Sequence, residues 1–349
     1  KVARMDREAH PLYSEDDVLA VLKLPKLVKY HEKFMVKDLT IEYVDAGHIL
    51  GSASIIISDN GKTIVFGGDI GNFPEDLVAP TEFIPSADVV IMESTYGDRE
   101  HPKDEHPDEV LAREVTAIEE SGGALLIPAF SLERTQVLLH KLDHLKKANK
   151  IKLETPVFLD SPMAIKATDI YKSFEKLMNS EIQGHVLQDD PFDFPGLHLI
   201  SKHEESEHIF FSQGPKVILA GSGMMSGGRI IGHAKNFLPL ATTRLLIIGF
   251  QGEGTLGRKI SEGATEVEID GISIPVKATL TELHSLSAHA DKSKLLTWLK
   301  EIKGVSHVFL THGEEEARTS LGATIKEEGI CDAITYPKLD QTISLFTSS

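Results

Sequence analysis

The chain has 349 residues, of which 41% are hydrophobic, enough to form the core of one large α/β unit or of two domains. Its formal net charge is -17 at pH 7, which argues against a general polyanion-binding surface because non-specific nucleic-acid binding depends on clustered Lys and Arg. Any nucleic acid must therefore bind at a local site, where metal ions would supply part of the positive charge.

Cysteine content and hydropathy indicate the compartment. Cys331 is the only cysteine, which excludes an internal disulfide and suits a reducing environment. The first residues, 1–8, lack the apolar core of a signal peptide, and the sequence has no run of about 18 apolar residues that could cross a membrane. We expect a cytoplasmic protein without membrane segments.

The stretch 41–71 predicts a strand followed by a β-hairpin with an Asn60-Gly61 turn. His48 follows the first strand and Asp69 follows the hairpin, so one imidazole and one carboxylate reach the same edge of a sheet. Because both residues lie among glycines after hydrophobic strands, they are candidate metal ligands. A structural hydrogen bond is the alternative.

A buried strand is predicted over 87–92, and Glu93 follows it shortly before Gly97. A carboxylate at the carboxyl end of a strand is typical of functional groups in open α/β folds. Taken alone, Glu93 is explained better as the cap of a helix or turn.

Helical and strand patterns alternate over residues 108–250, which predicts a parallel sheet with right-handed crossovers. A glycine-rich loop, 221–229, follows the strand predicted over 216–220. Backbone amides in such a loop can contact phosphate, although a tight strand-to-helix turn explains the glycines equally well.

Predicted β structure returns after residue 254, with an Asp270-Gly271 hairpin turn. His289 then lies in a loop before a helix, and the strand predicted over 305–310 ends just before His312. The predicted layout is a β-rich unit formed by both ends of the chain around an α/β insert. The predicted domains are 1–97, 98–259 and 260–349.

Polar residues therefore follow several predicted strands, and another lies in a nearby loop: His48, Asp69, Glu93, His312 and His289. Neutral imidazoles and a bridging carboxylate can hold two cations about 3.5 to 4 Å apart. Any one of the 16 histidines is explained more simply as a capped or exposed side chain. Their joint placement favours a hydrolytic two-metal site.

These segments resemble the metallo-β-lactamase-fold nucleases with a β-CASP insert, a family that includes the RNA 3′-end-processing endonuclease and bacterial and archaeal RNases. Asp-Ala-Gly-His48 and Gly-Gly-Asp69 match two metal motifs of that family. Three later segments are similar to its β-CASP motifs A, B and C, namely Glu93-Ser-Thr-Tyr-Gly, Ser-Ala-His289-Ala-Asp and Thr-His312-Gly-Glu. The similarity covers nearly all of the chain from Asp45 onward.

The resemblance implies a metallo-β-lactamase αββα fold, N-terminally incomplete in this sequence, with an inserted β-CASP domain of parallel-sheet α/β type. It implies two Zn²⁺ ions per complete site, with His48 binding one, His312 binding the other and Asp69 bridging them. His289, oriented by Glu93, would protonate the leaving oxygen of the cleaved phosphodiester. The predicted catalytic residues are therefore His289, Glu93 and Asp69.

Other positions are predicted to contact the substrate. Ser161 lies in a segment similar to a family loop that lines the cleft, and Ser287 lies beside His289. Together with the glycine-rich loop, the predicted substrate-binding residues are Ser161, Ser222, Gly223, Arg229 and Ser287.

One family motif, an early His-x-His-x-Asp-His run that supplies ligands to both zinc ions, does not occur in these residues. His48, Asp69 and His312 alone would hold zinc poorly, because tetrahedral sites need about three or four protein donors per ion. We therefore expect this chain alone to be metal-poor and inactive. A homodimer, or a partner that supplies the missing segment, is the expected assembly.

The predicted function is metal-dependent hydrolysis of RNA phosphodiester bonds, in endonuclease or exonuclease mode. One alternative is a non-catalytic scaffold in an RNA-processing complex, which would bind partners without metal. Another is hydrolysis of a small substrate such as a lactam or thioester. The long insert argues against the latter, because a roof over the cleft suits a polymer.

Overall fold

The computed structural model describes residues 12–73, 76–186 and 189–346. The segment 1–8, where the sequence predicts no signal peptide, lies outside the described residues. Within the described ranges, no helix combines the length and the apolar character needed to cross a membrane.

The described strands form two large sheets and a separate hairpin. In chain order they are β1 (Phe34–Val36), β2 (Leu39–Asp45), β3 (Ala53–Asp59), β4 (Lys62–Phe66), β5 (Val89–Met92), β6 (Ala124–Pro128), β7 (Val157–Asp160), β8 (Leu197–Leu199), β9 (Lys216–Ala220), β10 (Arg244–Ile248), β11 (Glu266–Ile269), β12 (Ile272–Pro275), β13 (Thr279–Leu283), β14 (His307–Leu310) and β15 (Ile334–Thr335).

Helices connect most of the later strands. Those in the described ranges are α1 (Glu15–Val21), α2 (Pro107–Ser121), α3 (Arg134–Lys147), α4 (Pro162–Ser173), α5 (Ser180–Val186), α6 (His203–Phe211), α7 (Ile230–Phe237), α8 (Leu256–Ser261), α9 (Lys292–Glu301) and α10 (Glu315–Glu327). A short 3₁₀ turn, Glu175–Leu177, follows α4.

The first sheet has the strand order β1-β2-β3-β4-β5-β14-β15. β2, β3 and β4 pair antiparallel, and the predicted hairpin turn at Asn60-Gly61 is confirmed, with positive φ at both residues. β5 lies parallel to β4 on one side and to β14 on the other. The carboxyl ends of these three strands therefore meet at one edge of the sheet.

The second sheet is parallel throughout, in the order β13-β10-β6-β9-β7-β8, which confirms the predicted α/β architecture. Every residue of β6 is buried. Leu125 and Ile127 pack in the core with α2, α3 and α4, whereas Leu126 packs in the core with α7 and α8. Because successive side chains of a strand point to opposite faces, helices cover both faces of this sheet.

Two features connect the later segments to the sheets. Trp298 of α9 is fully buried against the first sheet, and its indole N–H donates to the carbonyl oxygen of Glu82 at 3.2 Å. β13, residues 279–283, pairs with β10 in the second sheet, beyond the boundary predicted at residue 259. The division into 1–97, 98–259 and 260–349 stays a prediction.

Candidate active site

Glycines allow the loops after β2 and β4 to approach each other closely. A Cβ at Gly47 would lie 2.4 Å from the backbone N of Thr81, and one at Gly71 would lie 2.0 Å from the carbonyl oxygen of Gly47. The Gly71 N–H donates to the carbonyl oxygen of Ala46 at 2.9 Å. These backbone contacts leave no room for side chains and hold the segments of His48 and Asp69 together.

The Asp69 carboxylate lies between two histidines. Its Oδ2 is 3.8 Å from His48 Nε2, and its Oδ1 is 3.5 Å from His312 Nδ1. The two histidines come from the ends of β2 and β14, and Asp69 comes from the end of β4. His312 has a positive φ of 44°, an uncommon backbone conformation for a non-glycine residue that is often found at functional sites.

His289 lies between these two histidines and is hydrogen-bonded to the buried carboxylate of Glu93. Its ring centroid is 4.5 Å from that of His48 and 5.4 Å from that of His312. Its Nδ1 is 3.0 Å from each oxygen of the Glu93 carboxylate. Glu93 is 1% exposed and also accepts a 2.6 Å hydrogen bond from the Ile70 N–H.

The histidines and Glu93 have perturbed pKa values. Burial, followed by the charge of His289, lowers the pKa of His48 to about 4. Burial alone would raise the pKa of Glu93 and lower that of His289, but their mutual attraction and hydrogen bonding reverse both directions. The net effect is a lowered pKa for Glu93 and a raised pKa for His289, which favours the charged pair.

The three histidines and Asp69 open into a cavity of about 620 Å³. Residues from the ends of the second sheet form its other side and are largely apolar: Phe130, Leu132, Met224, Ile248 and Phe250. The cavity therefore lies between the two sheets, with the three histidines and Asp69 on one wall and mostly apolar side chains on the other.

The predicted substrate-binding residues lie in different environments. Ser287 lines the cavity and is 3% exposed. Ser161 caps α4, where its Oγ accepts from the Ala164 N–H at 3.3 Å. Ser222 Oγ accepts from the Ser226 N–H at 3.0 Å, within the glycine-rich loop. A Cβ at Gly223 would lie 2.5 Å from the Phe130 ring.

Arg229 is not among the residues that line the cavity. Its guanidinium contacts the buried carboxylate of Asp160 and donates to the carbonyl oxygens of Ile200 and Ser201 at 3.0 and 2.6 Å. Asp160 also contacts His233 Nε2 at 2.7 Å. These partners tie the glycine-rich loop to β7.

Sequence analysis missed several residues at the site. Thr95 Oγ1 is 3.0 Å from His312 Nδ1, and His101 Nε2 is 3.0 Å from the carbonyl oxygen of His289. Glu133 and Arg134, both buried, line the cavity at the start of α3. Thr95 lies within the Glu93 motif and could have been found from it, whereas nothing local in the sequence marks the other three.

Two family models match the chain. Residues 135–260 match the Beta-Casp domain, and residues 273–335 match the Zn-dependent metallo-hydrolase RNA specificity domain. The second description indicates a metal cofactor and a role of this domain in RNA specificity.

Relatives in bacteria, archaea and animals align along most of the chain. A ribonuclease of Thermus thermophilus is 35% identical over 91% of this chain and 73% of its own length. An RNase J-like protein of Methanocaldococcus jannaschii is 31% identical over 90% of this chain and 73% of its own. Cleavage and polyadenylation specificity factor 73 of Drosophila melanogaster is 30% identical over 93% of this chain and 47% of its own.

These matches confirm the fold and the enzyme class that the sequence motifs predicted. Early and late strands of the chain form the first sheet, and the parallel second sheet lies between them in the sequence. A metallo-β-lactamase fold with an inserted β-CASP domain has this arrangement. The chain belongs to the β-CASP family of metallo-β-lactamase-fold RNA nucleases, which are metal-dependent hydrolases.

Proposed function

We propose that this chain hydrolyses RNA phosphodiester bonds at the cavity between the two sheets when a segment with the His-x-His-x-Asp-His run completes its metal site, with His48, Asp69 and His312 among the zinc ligands. The position of Asp69 is the main support. Its two carboxylate oxygens face different histidines, His48 at 3.8 Å and His312 at 3.5 Å. A carboxylate placed in this way can serve two cations at once.

The donors at the site fit a borderline divalent cation. His48 Nδ1 is 3.1 Å from the carbonyl oxygen of Ala288, so a neutral ring carries its proton on Nδ1. The unprotonated Nε2, on the side of Asp69, is then free to bind a metal ion. The lowered pKa of His48, about 4, keeps that ring neutral near pH 7. Imidazole and carboxylate donors suit zinc, which when bound activates water and stabilises developing negative charge.

His289 is the proposed general acid. Glu93 occupies its Nδ1, which leaves Nε2 as the nitrogen that can deliver a proton. As water attacks phosphorus and the bond to the leaving oxygen breaks, the proton from His289 Nε2 passes to that oxygen. Glu93 is a positioning residue, because it acts through His289 and is itself buried.

The charge of the cavity wall supports metal dependence. Four carboxylates line the cavity, those of Asp69, Glu133, Glu253 and Glu314, against the single guanidinium of Arg134. These carboxylates outnumber the cations even when His289 carries a proton, so the cavity lining is net negative and would repel an RNA phosphate. Bound cations would reverse the local sign and allow the phosphate to enter.

The apolar wall supports a single-stranded RNA substrate. Phe130 is 43% exposed, and it lines the cavity together with Phe250. Aromatic faces can stack on unpaired bases while the phosphate contacts the wall that carries the histidines and Asp69.

Ser287 is the proposed substrate donor nearest to His289, and the substrate roles of Ser161, Ser222, Gly223 and Arg229 stay predictions. A cytoplasmic location and a homodimer, or a partner that supplies the His-x-His-x-Asp-His run, are also part of the proposal.

A cleavage assay on 5′-labelled single-stranded RNA tests the proposal. The chain is assayed with zinc, alone and together with a segment that contains the His-x-His-x-Asp-His run, and its bound metal is measured in parallel. We expect cleavage with the segment, and loss of cleavage with a chelator or with Asp69→Asn. His203→Gln, at a side chain that is 78% exposed, is the matched control and should cleave normally. Full metal occupancy without cleavage would contradict the proposal.

A further inference from the structure

A second group of histidines lies outside the candidate active site. His140 and His144 are one turn apart on α3, and His185 lies on α5. The ring centroid of His140 is 4.1 Å from that of His144 and 5.3 Å from that of His185, and His144 and His185 are 5.1 Å apart. None of these residues lines the cavity that contains His289.

The nitrogen atoms of this group have the spacing of a metal site. His140 Nε2 is 3.2 Å from His185 Nδ1, and one nitrogen from each of the three rings lies within 4.8 Å of the others. With Zn–N bonds of about 2.0–2.1 Å, two ligands of a tetrahedral ion lie about 3.3 Å apart. The separation of the His140 and His185 nitrogens, 3.2 Å, matches that edge, so a metal could replace the hydrogen bond between these two rings.

Two carboxylates lie next to His185. Asp189 Oδ1 is 2.6 Å from His185 Nε2, the nitrogen that faces away from His140. A carboxylate in this position fixes the ring and makes the ligating nitrogen a better donor. Asp143 Oδ2 is 3.6 Å from the same His185 Nε2, and Asp143 is 1% exposed with an Oδ1 that has no hydrogen-bond partner.

Two cations border the group, Lys141 and Lys147. Lys141 Nζ is paired with Asp76 at 3.3 Å and with Asp108 at 3.0 Å. Lys147 Nζ is 3.2 Å from His185 Nε2, but it is paired with Asp143 at 2.7 Å and with Asp189 at 2.6 Å. Each of these two ammonium groups is thus paired with two carboxylates, so the local charge balance is negative and favours a bound cation.

We propose that His140, His144 and His185 bind one divalent transition-metal ion of the zinc, cobalt and nickel class, with Asp189 orienting His185. Three imidazole donors suit these borderline ions and not Mg²⁺ or Ca²⁺, which prefer oxygen. The ion would join α3 to α5, two helices of the insert that are otherwise connected here by hydrogen bonds between side chains. Its role is structural, and it is independent of the proposed RNA hydrolysis.

Zinc titration of the whole chain tests this site. Bound metal is measured by competition with a chromophoric chelator, and Co²⁺ absorption spectra report tetrahedral coordination. The parent, His144→Gln, His185→Gln and the exposed-residue control His203→Gln are compared. Loss of a group that only orients a ligand costs about 10–100-fold in metal affinity, so loss of a ligand should cost at least that for one equivalent of metal.

A double variant, Asp69→Asn with His312→Gln, separates the two sites. We expect it to retain one tightly bound equivalent and a thermal midpoint that rises with added Zn²⁺, whereas adding His144→Gln should remove both effects. Far-UV circular dichroism of each variant checks that the chain is folded. Equal zinc affinity in the parent, His144→Gln and His185→Gln, or no bound equivalent in the double variant, would overturn the proposal.

Discussion

Both oxygens of the Glu93 carboxylate lie 3.0 Å from Nδ1 of His289. The pair joins the end of β5 to the loop before α9, two segments almost 200 residues apart in the chain. Because Glu93 is buried and His289 faces the cavity, Glu93 stabilises the protonated form of His289 at the place where the substrate would bind. The proposed acid catalysis depends on this relationship.

The pH dependence of RNA cleavage should reflect this pair. Glu93 raises the pKa of His289 above its ordinary value of 6.5, despite the opposing effect of burial. The proton donor is therefore present below that raised pKa and is lost as pH rises through it. We expect cleavage to decline on the alkaline side, and Glu93→Gln to move the decline to lower pH. A profile that is identical in parent and variant would contradict the role of Glu93.

Variants of His289 and His312 should separate proton transfer from metal binding. His289→Ala removes the proposed acid and should lower the cleavage rate by about 10²–10⁴-fold with little change in bound zinc. His312→Ala should lower the zinc content as well as the rate. Metal analysis of both proteins checks this, with His203→Gln as control. Loss of zinc in His289→Ala alone would mean that the two histidines have exchanged roles.

The stability of the chain should depend on pH through Glu133. Burial raises its pKa to about 6 from 4.5, and the Tyr171 hydroxyl donates to it at 2.5 Å. The folded state thus holds this proton more tightly than the unfolded state. The contribution of Glu133 to the free energy of unfolding should fall by about 2 kcal/mol as pH rises through that interval.

Glu133→Gln should remove this part of the pH dependence. The difference in the free energy of unfolding, variant minus parent, should therefore be more positive at pH 8 than at pH 4. Urea unfolding at both values measures the difference, and Glu120→Gln, at an exposed position, is the control. A variant whose stability parallels the parent at every pH would show that folding does not raise the pKa of Glu133.

Arg229→Ala should reduce stability more than RNA affinity. The guanidinium is paired with the fully buried Asp160, and removing one member of a buried pair costs about 3–5 kcal/mol. Urea unfolding and RNA binding by fluorescence anisotropy check the two effects, with the exposed control Lys202→Ala. Weaker RNA binding at unchanged stability would restore the substrate role predicted from the sequence.

The sequence allowed prediction of the strand ends that meet at the cavity. Hydrophobic runs that end in a polar residue locate His48, Asp69 and Glu93, because β2, β4 and β5 run in the same direction and their carboxyl ends lie at one edge of the first sheet. The parallel second sheet followed from the alternation of strand and helix patterns. These features depend on local periodicity, which a single sequence contains.

Other features depend on tertiary contacts and have no local signal. Glu133 is buried with a positive φ of 61°, and its carboxylate accepts a hydrogen bond from Tyr171, which is 38 residues away in the chain. The spacing of His140 and His144 on one helix face is visible in the sequence, but the approach of His185 is not. Arg229 looked like a substrate contact because its loop is rich in glycine, whereas its partner Asp160 lies on another strand.

Anomalous diffraction at the zinc absorption edge, from crystals of the chain soaked in Zn²⁺, tests the central claim most directly. High zinc concentration fills sites that lack some of their ligands, so the measurement does not require full activity. We predict anomalous density in contact with the side chains of His48, Asp69 and His312. Zinc density elsewhere in the crystal with none beside Asp69 would contradict the account.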